Sequence, residues 1–286
     1  MTMTTTTTRP IEFTHSAFTG HAIHRVLATE ELRHRLSPFV FLDHFDVSVD
    51  HQWGFDWHPH SGVATVTYVL SSDLDHADTG GAGGRVPEGS VQWMAAGNGI
   101  WHKEYYRPGA DHRVAGLQMW IALPPDLENG PIDYQHAEAT ALPVEGTTQV
   151  LVGHYGGTSS PIKAPVEFNY FNVALREDQH WRYQPPANHD VAWIYMLNGS
   201  AIASGTQVPE KTLAVFVAGE EPLDVAAIDD DAQFVVGTAP KNRNPIVAQG
   251  GSMHTSSDAM RSGQQRIAKI RKELLGRNAG GSIRTG

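Results

Sequence analysis

The sequence predicts an all-β chain made of two tandem copies of one β unit, closed by a short C-terminal helix. Three observations predict it. Short β-branched and apolar runs alternate with turn residues, and 28 glycines and 17 prolines fall among 286 residues, a composition that favours strands and turns over a βαβ alternation. Val86-Pro87-Glu88 recurs as Val208-Pro209-Glu210 and Ala96-Gly97 as Ala218-Gly219, while Tyr68-Val69-Leu70 matches Tyr195-Met196-Leu197 after a slightly shorter hairpin, the mark of a degenerate repeat. The one clear helical pattern is terminal, with Ser257 or Asp258 as cap and Ile267, Ile270 and Leu274 on one side, opposite a solvated basic face.

Taken in order, Met1 to Thr8 is mostly threonine and lacks the basic start and apolar centre of a secretory signal, so residues 1–10 read as a disordered leader. Ile11 to Ile23 reads as a strand pair around Gly20, and Arg25 to Arg35 as a short helical turn. Ser37 to Phe45 is an apolar run opened by Pro38, the pattern of a strand entering a core. Thr65 to Leu70 is a β-branched strand, and Ser71 to Gly84, rich in Gly, Asp and Ser, is a hairpin with a loose tip. Gly80 to Gly84 lacks the Lys-Ser/Thr ending and following helix of a phosphate loop. Ser90 to Met94 and Leu117 to Leu123 are strands, and the Pro- and Gly-containing stretch from Pro124 to Pro131 marks the crossing into the second copy. The expected domains are therefore residues 11–125 and 126–256, with the helix and tail in 257–286.

His58-Pro59-His60 is answered by His102-Lys103-Glu104. Residues two apart on a strand share a face, so each pair can aim both members at one spot. Sixteen histidines yield about one chance His-x-His pair, but both pairs here adjoin predicted strands. Three neutral imidazoles and one carboxylate suit a first-row divalent ion, at roughly 2.0–2.2 Å in zinc-like geometry. His44, His51 and the His136-Ala137-Glu138 stretch lack such a setting and read as ordinary histidines. In the second copy, the repeat offsets place Pro185, Ala187, Asp224 and Ala226 at the four ligand positions, leaving that copy without a metal site.

With no cysteine, disulfides, zinc-thiolate fingers, iron–sulfur clusters and thiol nucleophiles are excluded. Net charge of −10 argues against a basic surface for nucleic acid. Mean hydropathy is −0.32 and no run of about 18 apolar residues exists, so no membrane span and a cytoplasmic protein are expected.

The run His58-Pro59-His60-Ser61-Gly62, then Thr65-Val66-Thr67-Tyr68, then Val91-Gln92-Trp93-Met94-Ala95-Ala96-Gly97-Asn98-Gly99-Ile100-Trp101-His102-Lys103-Glu104 resembles the pirin family of the cupin superfamily. Pro38 to Phe45 supports the likeness upstream; Ser160-Pro161 and Asn244 to Gly251 support it more loosely. It covers residues 20–125 strongly and the remainder in outline. The resemblance implies two cupin (double-stranded β-helix, jelly-roll) barrels, the first carrying one divalent metal, Fe(II) above Mn, Ni, Co, Cu or Zn, on His58, His60, His102 and Glu104. The Glu that many cupins place four residues after the second His is replaced by Ala64, so Glu104 supplies the carboxylate. The family also implies a quercetin 2,3-dioxygenase activity, with a flavonol and O₂ as substrates; Glu104, ligand and carboxylate at once, is then the candidate base for the flavonol hydroxyl proton. Phe55, Trp57, Trp93 and Trp101 are candidates to face a planar substrate, or else to fill the core. The alternative is a non-catalytic regulator whose metal state controls docking to a protein partner.

Overall fold

The structure, a computed structural model, describes residues 7–20 and 22–280. Among the described residues, apart from two α-helices, Glu30–Leu36 and Ser257–Gly280, and a single 3-10 turn, the regular elements are strands, as the sequence predicts. By contacts the chain divides into two units, one of residues 1–46 and 137–242, the other of 47–136 and 243–286. The expected domains were contiguous blocks; the observed units each take one segment from a distant part of the chain. Hydrogen bonding supplies the reason. The Ile11–Ser16 strand pairs antiparallel with Thr212–Phe216, so the N-terminal segment completes the sheet of the later copy. Arg9, assigned to the leader by sequence, is wholly buried there and donates to the His189 carbonyl at 3.1 Å. The leader expectation for residues 1–6 lies outside the described residues.

The unit of residues 47–136 and 243–286 holds a ladder of Asp133–Ala137, Val91–Ala95, Val63–Ser71 and Arg113–Ala122, and a four-stranded sheet ordered Trp53–His60, Ile100–Arg107, Asp73–Asp78, Gly83–Val86. The other unit repeats both. Ile11–Ser16, Thr212–Phe216, Val191–Asn198 and Ala232–Ala239 run in the first order, and His180–Tyr183, Leu223–Ala227, Ala201–Ala203, Thr206–Val208 in the second. Its two sheets share one apolar core, since Ile194 and Val236 from one cluster with Trp181 and Val225 from the other. Removing such side chains from water stabilises each by about 1.5–3 kcal/mol.

The matching strands of the two copies carry different chemistry. His102 pairs with His58 and Ile100 with His60; in the other copy Val225 pairs with Trp181 and Leu223 with Tyr183. The strands of the later copy that stand in this order thus carry Trp181, Tyr183, Val225 and Ala227, all within its apolar core, where the first copy carries the histidine pairs. Of the positions the sequence offsets gave, Pro185 and Ala187 fall beyond the His180–Tyr183 strand, because the connection to the next strand, Ser61 and Gly62 in one copy, spans residues 184–190 in the other.

The C-terminal segment packs on the unit that carries the histidine pairs. Ser252–His254 pairs with Val247–Gln249, and Ser61 bridges to Ser252. The helix buries Met260, Ile267 and Ile270. Its cap is Ser256, one residue earlier than expected: Ser256 Oγ accepts from the Ala259 amide at 3.1 Å. His254, buried, lies 2.9 Å from Ser61 Oγ and 3.5 Å from Glu128, whose carboxylate also accepts from the Thr255 amide and hydroxyl at 2.6 and 2.7 Å. Gly62 is required here: its φ is +72° and a β-carbon would overlap the Met253 carbonyl.

Candidate metal centre

Three neighbouring strands build the site. His102 lies opposite His58 on one side and opposite Asp78 on the other, while Glu104 lies opposite His76. Directly opposed residues of an antiparallel pair project to the same face, so the register alone brings these side chains to one surface. The Trp53–His60 strand bulges between His58 and Phe55, the partners of His102 and Glu104. Ring centroids stand 4.2 Å apart for His58 and His102, and 5.0 Å for both His58–His60 and His60–His102.

Among the described residues, two groups place their ligating atoms within 4.8 Å of one another: His58, His60 and His102, and His76, His102 and Glu104. The structure thus brings the three expected histidines together, and joins Glu104 to them through the shared His102. His60, His76, His102 and Glu104 are buried, and His58 is half-buried.

Backbone carbonyls orient the rings. His60 Nδ1 is 2.8 Å from the Gly251 oxygen and His58 Nδ1 is 2.8 Å from the Asp56 oxygen, so each Nδ1 carries the proton and donates, leaving a lone pair on Nε2. His60 Nε2 and both ring nitrogens of His102 are buried without a hydrogen-bond partner. Burial, reinforced by the neighbouring His58, pushes the His60 pKa down to about 3 against the opposing Gly251 carbonyl. His102 is held well below the usual histidine range, by burial first and then by His60, His58 and His76. Neutral imidazoles with unpaired, converging lone pairs are the donors a divalent cation needs, so the residues fit a metal. Glu104 accepts from the Gln118 amide at 2.7 Å and, more distantly, from the Thr67 hydroxyl at 3.5 Å, which fixes its carboxylate among buried groups.

The aromatic candidates separate. Phe55 stands 6.1 Å from the His58 ring. Trp93 is buried and donates to Asp133 at 3.1 Å; Trp101 donates to the Ile267 carbonyl of the C-terminal helix at 3.0 Å; Trp57 carries Lys103 over its ring. Sequence reasoning missed Trp120, whose ring packs at 4.8 Å against His60, and the carbonyl of Gly251, far along the chain. It also passed over His76 inside the hairpin, where the alternate spacing of His76 and Asp78 was the available signal.

The chain matches the Pirin family over residues 20–121. A pirin-like protein of Caulobacter vibrioides is 39% identical, over 77% of this chain and 82% of its own. Among solved structures, quercetin 2,3-dioxygenase from Acinetobacter baumannii superposes with a TM-score of 0.79 at 24% identity, covering 96% of this chain and 98% of that one. A bacterial pirin from Escherichia coli in complex with nickel(II) superposes at 0.64 with 22% identity, covering 82% and 98%.

Proposed function

Since this chain belongs to the pirin family, we propose that it is a metal-dependent dioxygenase acting on flavonols such as quercetin. The observation that carries the proposal is the convergence of His58, His60 and His102 beside the Glu104 carboxylate, with His60 Nε2 and both ring nitrogens of His102 buried and without hydrogen-bond partners. On this reading His58, His60, His102 and Glu104 hold one divalent ion. Iron is favoured by the family, and nickel is the ion recorded with the Escherichia coli pirin. Bound there, such an ion would supply a Lewis acid to a substrate oxygen.

The protein's own part is positional and acid–base. Glu104 takes the proton from the flavonol hydroxyl, and the Gln118 amide donating to its other side keeps the carboxylate aimed. The edge of Trp120 beside His60 and the ring of Phe55 beside His58 offer apolar surface to a planar substrate and narrow the access of water. The dioxygenase named among the similar structures supports the substrate class. The test is anaerobic iron loading followed by O₂ uptake with and without quercetin. Flavonol-dependent uptake is expected; its absence across iron, manganese, nickel and cobalt overturns the enzymatic reading in favour of a metal-sensing regulator.

A further inference from the structure

We propose that His254 is a positioning residue of this metal centre: with Ser61 and Glu128 it clamps the C-terminal hairpin whose Gly251 carbonyl orients His60. The inference rests on the metal-binding reading above, keeps its four ligands, and adds what holds one of them in place. The two histidines of the Trp53–His60 strand are held differently. His58 Nδ1 reaches the Asp56 carbonyl of its own strand, whereas His60 Nδ1 reaches the Gly251 carbonyl, 191 residues away. Gly251 lies at the turn between Val247–Gln249 and Ser252–His254, two strands too short to hold a hairpin still by themselves in water. The place of its carbonyl on His60 therefore depends on what the hairpin is fastened to.

The fastening runs through His254. Ser61, next to His60 in the chain, accepts from the Met253 amide at 3.1 Å through its backbone oxygen, and its Oγ lies 2.9 Å from both Ser252 Oγ and His254 Nε2. On the other side of the imidazole, Nδ1 faces Glu128 at 3.5 Å, and that carboxylate accepts from the Thr255 amide and hydroxyl. Ser61, His254 and Glu128 are all buried, so cutting one contact leaves its partner unsatisfied away from water. The C-terminal helix seals the group: a β-carbon on Gly263 would lie 2.5 Å from Ser61 Oγ and 2.8 Å from His254 Nε2. Ser, His and Glu in this order make the constellation of hydrolytic triads, but with Ser61 covered so closely no substrate reaches its hydroxyl, and the work left to the group is to hold. A carbonyl that accepts the far proton of a ligating imidazole fixes its tautomer and ring orientation. The clamp at His254 is thereby passed to His60 Nε2, the nitrogen without a hydrogen-bond partner.

The experiment loads the full-length chain with Co(II) and follows by proton NMR the hyperfine-shifted Nδ1 protons of His58 and His60 and their exchange with water, alongside chelator competition for affinity. In wild type the His60 proton, on its clamped carbonyl, should exchange about 10-fold or more slowly than that of His58. His254→Ala should speed exchange at His60 by about the same factor, leave His58 unchanged, and weaken Co(II) binding about 10-fold. Gly263→Ala, which wedges the helix against Ser61 and His254, should act in the same direction, and His254→Gln, whose amide again meets Ser61, should recover part of the loss. If His254→Ala alters neither proton, or both alike, the proposal is overturned while the four ligands stand. Should the variants fail to fold, the wild-type comparison decides, equal exchange at His58 and His60 overturning the proposal. A wild type that takes up no Co(II) overturns the metal-binding reading itself as well as this one.

Discussion

Replacing His60 with Ala tests the metal centre most directly. The side chain is 2% exposed, contributes one of three clustered imidazoles, and is tied at 2.8 Å to the Gly251 carbonyl. Disturbing groups that merely support a ligand costs 10- to 100-fold in metal affinity, so losing the ligand itself should cost at least about 100-fold. At a free metal concentration of 100 times the wild-type Kd, binding stabilises the folded state by about 2.7 kcal/mol. The same concentration is then no more than about one Kd for the variant, leaving about 0.4 kcal/mol. At about 2–4 °C per kcal/mol for units of this size, the metal-induced rise in Tm falls from roughly 5–10 °C to about 1 °C. Elemental analysis should find one ion per chain in wild type and little in the variant. Equal metal content and an equal metal-dependent Tm shift in both proteins would refute the reasoning.

The remaining predictions address the base, the support of the site and a buried acid away from it. Glu104→Gln keeps an oxygen donor but removes the base, so flavonol-dependent O₂ uptake should drop about 100-fold or more while bound metal falls far less; parallel losses of both would leave Glu104 a ligand only. Gly251→Ala places a β-carbon 2.6 Å from the Pro59 carbonyl oxygen and 3.0 Å from His60 Nδ1, so metal affinity, read by chelator competition, should weaken about 10- to 100-fold. Asp43 lies outside the site, and burial raises its pKa to about 6, against the opposing pull of Arg25 at 4.0 Å. The folded state therefore keeps a proton that the unfolded chain has already released, and stability declines as pH rises from near 4 to near 6, by about 3 kcal/mol at most. Asp43→Asn should flatten that slope in urea titrations at several pH values and be the more stable protein at pH 7; an unchanged slope would count against the assignment.

The sequence by itself determined the repeated β architecture, because strand alternation, turn residues and the Val-Pro-Glu recurrence are local signals that survive without tertiary contacts. It also determined the His58, His60, His102 and Glu104 pairs, since residues two apart on a strand must share a face wherever that strand ends up. Only the tertiary structure decided what stands beside them. Strand register set His76 against Glu104, and Trp181 against Val225 in the later copy, and register depends on hairpin lengths and bulges that a repeat alignment cannot count. The Gly251 carbonyl on His60, the docking of Ile267 under Trp101 and the exchange of the Ile11–Ser16 strand into the later copy join segments far apart in sequence. Such contacts leave no periodic trace, because they arise from which surfaces fit once both elements have formed.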